Sequence, residues 1–218
     1  MGTYSVSRTF PREGQITEKA AAVMRMFGLT VERLRERGVR HSCSVEINAG
    51  DIVYITGPSG SGKSVLLREL ERSVPSPDKV NLNEIRLPSD GAVIDSMEGD
   101  FLTGLKLLSI AGLNDVFCVL EQPSNLSDGQ KWRFRLAKAL AAGKKFVFAD
   151  EFCSELDRIT ASVIAYNIHK FAKRAGVTFI LAASHEDVLV DLAPDVLIVK
   201  ELSGPAQVVY KNSRCSIV

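Results

Sequence analysis

The sequence predicts an α/β fold in which helices flank a mainly parallel β-sheet. Short apolar runs, such as residues 52–55, 146–149 and 177–182, alternate with longer segments in which apolar residues recur every three or four positions. Continuous apolar strands are typical of a parallel sheet, because helices bury both of its faces. Two further runs, 196–200 and 207–210, are split by Ser-Gly-Pro and predict an antiparallel hairpin near the end of the chain.

Capping and turn residues predict the remaining elements. The first fifteen residues are polar and are expected to be loose, and residues 48–51 form a tight turn after a strand at 45–47. Further elements are expected as helices at 16–27, 31–37, 101–111 and 159–174, as a long helix after Gly129, and as a strand at 92–94.

The composition is that of a soluble globular protein. Of 218 residues, 45% are apolar and 24% are charged, which suffices for one domain with a real core. The net charge of +1 gives no general attraction to nucleic acid or to a membrane. Residues 1–44 carry eight Lys or Arg against four Asp or Glu, and they are expected to form an N-terminal helical and basic segment. That segment leaves a nucleic-acid or other partner surface open, and residues 45–218 form the main domain.

The cysteines and the hydropathy indicate a cytoplasmic protein. Cys43, Cys118, Cys153 and Cys215 lie far apart without a CxxC pair, which argues against a zinc site or disulfide framework and for a reducing compartment. No apolar run approaches the ~20 residues that cross a bilayer, and the start of the chain lacks a signal-peptide pattern. We therefore expect no transmembrane segment in this chain.

A glycine-rich phosphate-binding motif follows the strand at 52–55. Residues 57–64 read Gly-Pro-Ser-Gly-Ser-Gly-Lys-Ser and match GxxxxGK[ST] at every fixed position. Its backbone N–H groups and the following helix N-terminus suit phosphate, Lys63 would reach the terminal phosphates, and Ser64 would coordinate Mg²⁺. The residues expected to contact the nucleotide here are Gly57, Pro58, Ser59, Gly60, Ser61, Gly62, Lys63, Ser64 and Val65. The motif alone leaves ATPases and nucleotide kinases such as guanylate kinase open.

Two carboxylates end the strand at 146–149. Asp150 is expected to hold Mg²⁺ directly or through water, because a strand-end acid beside a phosphate loop commonly does so. Glu151 would lie next to the terminal phosphate, where it can accept a proton from the attacking water. These two residues extend the phosphate site to a site for Mg²⁺-dependent hydrolysis.

Residues 126–130, Leu-Ser-Asp-Gly-Gln, stand at the start of the long helix. Here the chain resembles the ABC ATPase family, whose signature sequence is LSGGQ, and the resemblance continues through the helix to residue 140. In that family Ser127, Gly129 and Gln130 would contact the γ-phosphate of an ATP held by the opposite subunit. Asp128 departs from the signature and puts a negative charge near that phosphate.

Two later motifs extend the resemblance over residues 45–210. Ser-Glu-Leu-Asp at 154–157 resembles the family's D-loop, and Ala-Ser-His at 183–185 places His185 where the family has its switch histidine. The resemblance implies a soluble ABC-type ATPase of the P-loop NTPase class that closes into a head-to-tail homodimer around two Mg·ATP. Within the family, residues 126–140 are most similar to a group in which some members are fused to an acetyltransferase-like domain.

Three departures bear on function. The family's base-stacking aromatic residue is missing near residues 33–35, and its Q-loop glutamine is missing after the strand at 92–94, where Asp95 or Ser96 stands. The helical subdomain, about residues 97–128, is short. Three alternatives remain. The chain could be the ATP-binding subunit of a transporter with separate membrane chains, a switch that binds ATP with little turnover, or a nucleotide kinase.

The long helix carries a basic face made of Lys131, Arg135 and Lys138, which is expected to be solvated. The macromolecular partner is unknown.

Overall fold

The computed structural model describes residues 2–10, 17–30 and 39–211, and it describes the side chains of this set except those of 6–10 and 39–41. Within these ranges, four short 3₁₀ turns lie between the regular elements. The strands and helices in chain order are β1 (Gly2–Phe10), α1 (Glu18–Met26), β2 (Val39–Ile47), β3 (Ile52–Thr56), α2 (Lys63–Ser73), β4 (Lys79–Asn81), α3 (Phe101–Ile110), α4 (Val116–Leu120), α5 (Asp128–Ala141), β5 (Phe146–Ala149), α6 (Arg158–Ala175), β6 (Thr178–Ala182), α7 (Leu189–Leu192), β7 (Val196–Val199) and β8 (Gln207–Tyr210).

Six strands form one sheet in the order β4-β5-β6-β3-β7-β8. The first five are mutually parallel, and β8 pairs antiparallel with β7. This arrangement confirms the mainly parallel sheet and its closing hairpin. The carboxyl ends of β5, β3 and β6 meet at one edge, which is where an open α/β sheet binds its ligand.

Apolar side chains cover both faces of this sheet. In β3, Ile52 and Tyr54 belong to the larger core cluster, which includes much of α5 and α6. Val53 and Ile55 point the other way, into a second cluster with Leu66, Leu67 and Leu70 of α2. Successive strand residues alternate between the two faces of the sheet, and both faces are covered by helices. All five residues of β3 are therefore buried.

Capping residues lie at the ends of the principal helices. Thr17 caps α1, Asp157 caps α6, and Gly176 ends α6 in the left-handed conformation with φ +68°. Ser127 and Gln130 form a capping box at the start of α5, in which each side chain bonds the backbone N–H of the other residue. None of the helices in the described ranges has both the length and the apolarity to cross a bilayer.

One expectation for the N-terminal half is wrong. Residues 2–10 are not loose but form β1, which pairs antiparallel with β2 along its whole length. The strand β2 runs from Val39 to Ile47 and so extends on both sides of residue 44. The expected helix at 31–37 and the position of the base-stacking residue at 33–35 lie outside the described residues.

The expected strand at 92–94 is also absent from the described structure. Gly91 has φ +76°, Asp95 accepts a hydrogen bond from the N–H of Ala92, and a 3₁₀ turn follows at Ile94–Ser96. A short polar side chain that bonds the backbone three residues earlier favours a turn over a strand. Residues 97–128 contain the helices α3 and α4.

Candidate functional site

The phosphate-binding loop lies between β3 and α2 in the predicted strand–loop–helix setting. Gly57, Gly60 and Gly62 all have positive φ, at 141°, 78° and 99°. A Cβ on Gly57 would overlap the carbonyl oxygen of Lys200, so the loop begins in close contact with the end of β7. The loop conformation therefore depends on glycine at the predicted positions.

Lys63, in the first turn of α2, lies back across the loop. Its Nζ donates hydrogen bonds to the carbonyl oxygens of Gly57, at 2.8 Å, and Pro58, at 3.0 Å. Burial lowers the pKa of Lys63 below its ordinary value, and the carboxylates of Asp150 and Glu151 oppose that shift. Both carboxylates therefore act electrostatically on the ammonium group.

Asp150 and Glu151 follow β5 in an ordered turn. The N–H of Asp150 donates to Asn83 Oδ1 at 2.8 Å, and Asn83 Nδ2 donates to the carbonyl oxygen of Asp150 at 3.3 Å. Glu151 has φ +52°, an unusual value for a residue with a side chain, and its carbonyl oxygen accepts from the Ser154 hydroxyl at 2.8 Å. Outliers of this kind concentrate at functional sites, where the surrounding bonds hold them.

His185 is exposed just beyond β6, as predicted. Its carbonyl oxygen accepts a hydrogen bond of 2.6 Å from the hydroxyl of Tyr54, which is fully buried in β3. Burial raises the pKa of Tyr54 well above its usual range, with a smaller contribution from Cys153, so the hydroxyl stays a donor. Tyr54 therefore ties the segment that carries His185 to the central strand.

The loop, the carboxylates and the histidine line one cleft of about 610 Å³. Its walls include Ser59, Gly60 and residues 62–65 of the loop and first helical turn, together with Asp150, Glu151, Ser154 and residues 183–185. The other loop residues, Gly57, Pro58 and Ser61, are not part of this lining. The hydroxyl oxygen of Ser61 is buried and has no hydrogen-bond partner among the described residues.

The signature residues lie elsewhere. Ser127, Gly129 and Gln130 are absent from the lining of the cleft. Gln130 Oε1 accepts from the N–H of Ser127 at 2.8 Å, and its Nε2 contacts Cys118 Sγ at 2.9 Å. A Cβ on Gly129 would lie 3.2 Å from the carbonyl oxygen of Glu155, so the signature and the Ser154–Asp157 motif pack together.

The donor set of the cleft fits Mg²⁺ and a nucleotide triphosphate. A hydroxyl from Ser64 and a carboxylate from Asp150 are the hard oxygen ligands that Mg²⁺ prefers. Lys63, the positive-φ loop and the N-terminus of the eleven-residue helix α2 supply positive charge and dipole for phosphate. No cluster of three or more His, Cys, Asp or Glu with metal-binding geometry occurs in the described part of the chain.

Sequence reasoning missed three residues that support this site. Asn83 braces Asp150, Tyr54 braces His185, and Lys200 lies against Gly57. Lys200 is fully buried, and its Nζ donates to the carbonyl oxygens of Glu201 and Gly204. None of the three belongs to a local motif, because each contact joins residues more than sixty positions apart.

Comparison with known proteins agrees with these motifs. A sequence profile described as ABC transporter matches residues 40–100. Protein STAR1 of Oryza sativa subsp. japonica is 33% identical over 207 residues, covering 78% of this chain and 59% of that protein. The methionine import ATP-binding protein MetN of Sodalis glossinidius is 31% identical over 194 residues, covering 72% of this chain and 56% of that protein. The chain thus spans little more than half the length of these relatives.

Solved structures share the fold. The dimeric structure of MJ0796, a bacterial ABC transporter cassette, matches with a TM-score of 0.63 at 21% identity, covering 77% of this chain and 88% of that one. The dimeric post-hydrolysis state of MJ0796 bound to ADP and Pi matches with a TM-score of 0.61. The fold is therefore the one implied by the resemblance at the start of α5, and it holds the phosphate loop, the strand-end carboxylates and the histidine. The chain belongs to the ABC-type ATPase family as a nucleotide-binding domain.

Proposed function

We propose that this chain binds Mg·ATP in the cleft and hydrolyses it to drive a conformational change in a partner. The observation that carries the proposal is the convergence of Lys63, Ser64, Asp150, Glu151 and His185 on one cleft. A cation, a hydroxyl, two carboxylates and an imidazole at the end of a phosphate-binding loop are the groups that phosphoryl transfer to water requires. The proposal includes a cytoplasmic location for this domain.

The residues that hold the nucleotide follow from their chemistry. Backbone N–H groups between Gly57 and Val65, all but that of Pro58, which has none, would surround the phosphates. Lys63 would neutralise charge on the terminal phosphates, and Ser64 and Asp150 would hold Mg²⁺. Bound Mg²⁺ supplies Lewis-acid stabilisation of the phosphate oxygens. Lys63 would have to release the Gly57 and Pro58 carbonyl oxygens to reach the nucleotide, so binding would reorganise the loop.

Glu151 and His185 would act at the terminal phosphate. Glu151 is exposed in the cleft and can accept the proton of the attacking water. His185 can donate to a γ-phosphate oxygen, with its backbone held by Tyr54. Both residues come from strand ends, so their backbone positions are fixed by the sheet.

The second half of each site is proposed to come from another copy of the chain. Ser127, Gly129 and Gln130 lie outside the cleft of their own chain, which supports their use on the ATP of a partner copy. The resulting head-to-tail homodimer would form only with ATP, because the γ-phosphate bridges the two chains. The exposed carboxylate of Asp128 stands in the first turn of α5 beside this bridge and would weaken it.

A second candidate is an import ATP-binding subunit that works with separate membrane chains. The MetN relative, a methionine import ATP-binding protein, favours it. Both candidates share the cleft and the dimer and differ only in the partner. A switch that binds ATP with little turnover differs from both candidates in its rate of ATP hydrolysis.

The deciding experiment measures the solution mass of the Glu151→Gln variant with and without Mg·ATP. This substitution keeps the shape of the side chain and removes the base, so we expect a dimer with ATP and a monomer without it. Lys63→Ala in the same background should stay monomeric, and so should Ser127→Arg, which retains the chain's own cleft. A Glu151→Gln protein that binds ATP and remains monomeric would contradict the homodimer.

The turnover of the unmodified chain separates the enzyme from the switch. We expect steady phosphate release that Glu151→Gln reduces at least about a hundredfold, which lies within the range for loss of a general base. Tight ATP binding with equal, negligible phosphate release from both proteins would support the switch.

A further inference from the structure

The basic face that the sequence predicts on α5 is not solvated, so that expectation is wrong. Lys131, Arg135 and Lys138 are all half-buried, and Lys138 donates a hydrogen bond of 2.7 Å to the carbonyl oxygen of Ser96. Two exposed cations near the end of α6 have a different setting, because they border a cavity.

This cavity, of about 420 Å³, lies between the end of α3 and the second half of α6. Its lining consists of Ile110, Asn167, Lys170, Phe171 and Arg174. None of these residues lines the nucleotide cleft around the phosphate loop. Small-molecule sites typically have volumes of about 300–1,000 Å³, so the cavity is large enough to hold a ligand of its own.

Two cations and no carboxylate are found among the described residues of this lining. Lys170 and Arg174 are exposed and stand one turn apart, and neither forms an ion pair within the described ranges. Lys170 Nζ lies 4.6 Å from the centroid of the Tyr166 ring, a contact that positions the ammonium group and leaves its charge in place. A cation in the last turn offsets the helix dipole, but the dipole does not require that two cations border a cavity.

The end of α3 is prepared for a negative charge nearby. The carbonyl oxygens of residues 107–110 all accept hydrogen bonds, three of them from backbone N–H groups of residues 111–113. The fourth, that of Ile110, accepts from Asn167 Nδ2 at 3.1 Å. Because these last carbonyl oxygens are already bonded, they repel an anion less than free helix-end carbonyl groups would.

The apolar part of the lining indicates what kind of anion fits. Ile110 and Phe171 are half-buried, and the Phe171 ring packs edge-on against Phe179 of β6 with the ring centroids 6.4 Å apart. The sheet therefore holds this ring in place without help from a ligand. An alkyl chain or ring that covers these side chains gains about 25 cal/mol for each Å² of apolar surface removed from water. An anion with an apolar body thus fits better than inorganic phosphate.

We propose that this cavity binds a small organic acid whose carboxylate pairs with Lys170 and Arg174 and whose apolar body lies against Ile110 and Phe171. Arginine pairs with a carboxylate through two parallel hydrogen bonds, and lysine adds a point charge. The site is additional to the proposed ATPase activity.

The cavity adjoins a junction that holds α3, α5 and α6 together. Arg133 of α5 donates to the carbonyl oxygens of Gly112, at 2.9 Å, and Gly129, at 3.2 Å. A Cβ on Gly112 would lie 3.4 Å from the side chain of Ile164, so the chain just after α3 also packs on α6. A ligand beside Ile110 therefore contacts the segment that Arg133 joins to the start of α5. On the proposed function, on which this consequence rests, the acid should change the affinity of the ATP-dependent dimer.

The binding test is a ligand-observed NMR titration of the full chain with phenylbutyrate. Phenylbutanamide removes the charge, acetate removes the apolar body, and inorganic phosphate supplies charge alone. We expect phenylbutyrate to bind at least about fivefold more tightly than each of the three. Equal binding of the acid and its amide, tighter binding of phosphate, or no detectable binding of the acid at millimolar concentrations would each overturn the proposal.

Charge variants assign the binding to the cavity. Lys170→Gln combined with Arg174→Gln should weaken phenylbutyrate binding at least about fivefold. Glutamine is a strong helix former, so α6 should stay intact. Arg25→Gln makes the same charge change at an exposed position of α1 and should leave affinity within about twofold. An equal loss in Arg25→Gln would show that the acid responds only to the net charge of the protein, and would overturn the site.

Lys63→Ala tests whether the acid enters the nucleotide cleft instead. This substitution removes the ammonium group of the phosphate loop and should leave phenylbutyrate affinity within about twofold, because Lys63 does not line the cavity. A loss as large as that of the paired substitution on α6 would place the acid in the nucleotide cleft and overturn the proposal.

The effect on the dimer is tested with the Glu151→Gln variant, Mg·ATP and saturating phenylbutyrate. We expect the acid to change the dissociation constant of the dimer at least about twofold, and to have no effect once Arg174→Gln is added. An unchanged dissociation constant at saturating acid would overturn the connection between the cavity and α5. A Glu151→Gln protein that stays monomeric would instead count against the proposed function and would leave the acid site standing on its own binding data.

Discussion

At the residue scale, Gly57 shows how a single position ties the phosphate loop to the end of the sheet. Its φ of +141° lies outside the range that residues with a side chain adopt readily, and a Cβ there would overlap the backbone of Lys200. Lys200 cannot move aside cheaply, because its backbone N–H donates to the carbonyl oxygen of Thr56 and its side chain is fully buried. The loop and the β7–β8 connection therefore hold each other in place.

Gly57→Ala should destabilise the fold by about 2–4 kcal/mol, through backbone strain and overlap together. Gly143→Ala is the matched control, since Gly143 also has a positive φ, of 60°, but a methyl group there would meet no described atom within 4 Å. The control should lose only about 1 kcal/mol. Urea unfolding of the three proteins measures the difference, and equal losses would show that the close contact with Lys200 contributes nothing.

Tyr54→Phe removes one hydroxyl beneath the segment that carries His185 and leaves the packing of β3 intact. The lost hydrogen bond to the carbonyl oxygen of His185 is worth about 1 kcal/mol, which corresponds to roughly a fivefold fall in kcat if His185 must be positioned. The KM for ATP should stay within about twofold, because Tyr54 does not line the cleft.

Tyr166→Phe provides the control for this substitution, since the ring of Tyr166 is exposed on α6 and its hydroxyl has no partner among the described residues. Steady-state ATP hydrolysis by both variants separates positioning from general destabilisation. An equal fall in kcat in both variants, or no fall in Tyr54→Phe, would show that Tyr54 does not position His185.

At the scale of elements, the start of α5 combines a structural and a proposed functional role in one serine. The Ser127 hydroxyl accepts the backbone N–H of Gln130 at 3.3 Å, and Arg133 further along donates to the carbonyl oxygens of Gly129 and Gly112. These bonds fix the signature helix to the end of α3. The proposed γ-phosphate contact therefore sits on a helix whose orientation is set by its own chain.

Substitutions at Ser127 separate the two roles. Ser127→Ala removes the cap and should cost about 1 kcal/mol of stability, whereas Ser127→Asn retains a capping oxygen and should cost only a few tenths. Both should weaken the ATP-dependent dimer of the Glu151→Gln variant if the hydroxyl touches the partner's ATP. Thermal unfolding and solution mass give the two readouts, and a dimer undisturbed in Ser127→Asn would argue that Ser127 acts only as a cap.

The elements also show where sequence reasoning succeeds and where it fails. The ends of α5 and α6 were predictable because Ser127, Asp157 and Gly176 act on their own helix. The apolar residues at 91–96 predict a strand, but the structure has a turn there. The hydrogen bond from the N–H of Ala92 to the Asp95 carboxylate stabilises that turn. The strand β1 was missed because its pairing partner lies about forty residues away. Asn83 was missed for the same reason, since its bonds to Asp150 span 67 positions.

At the scale of the whole molecule, the strand order explains why the candidate site is well supported. The loop follows β3, Glu151 follows β5 and His185 follows β6, and these three strands are neighbours inside the sheet. Residues of β3 and β6 are fully buried, so the groups of the site extend from the part of the fold that packing stabilises most. The sequence predicted these strand ends because their apolar runs are continuous. It could not predict the cavity between α3 and α6, which needs Ile110 to lie beside Asn167, 57 positions further along the chain.

Amide hydrogen exchange should reproduce this ranking of stability. Amides of β3 and β6 have a strand on each side and no exposure, so they should exchange only through global unfolding. Those of β8 lie on an antiparallel edge strand with mostly exposed side chains and should exchange at least about tenfold faster.

Mass-spectrometric exchange across a series of low urea concentrations distinguishes exchange through global unfolding from exchange through local opening. Rates in β3 and β6 should rise with the urea dependence of global unfolding, whereas rates in β8 should barely respond. Exchange of β8 as slow and as urea-dependent as that of β3 would mean that the sheet opens as one unit. The close contact of Gly57 with the β7–β8 connection would then stabilise the edge of the sheet as well as the loop.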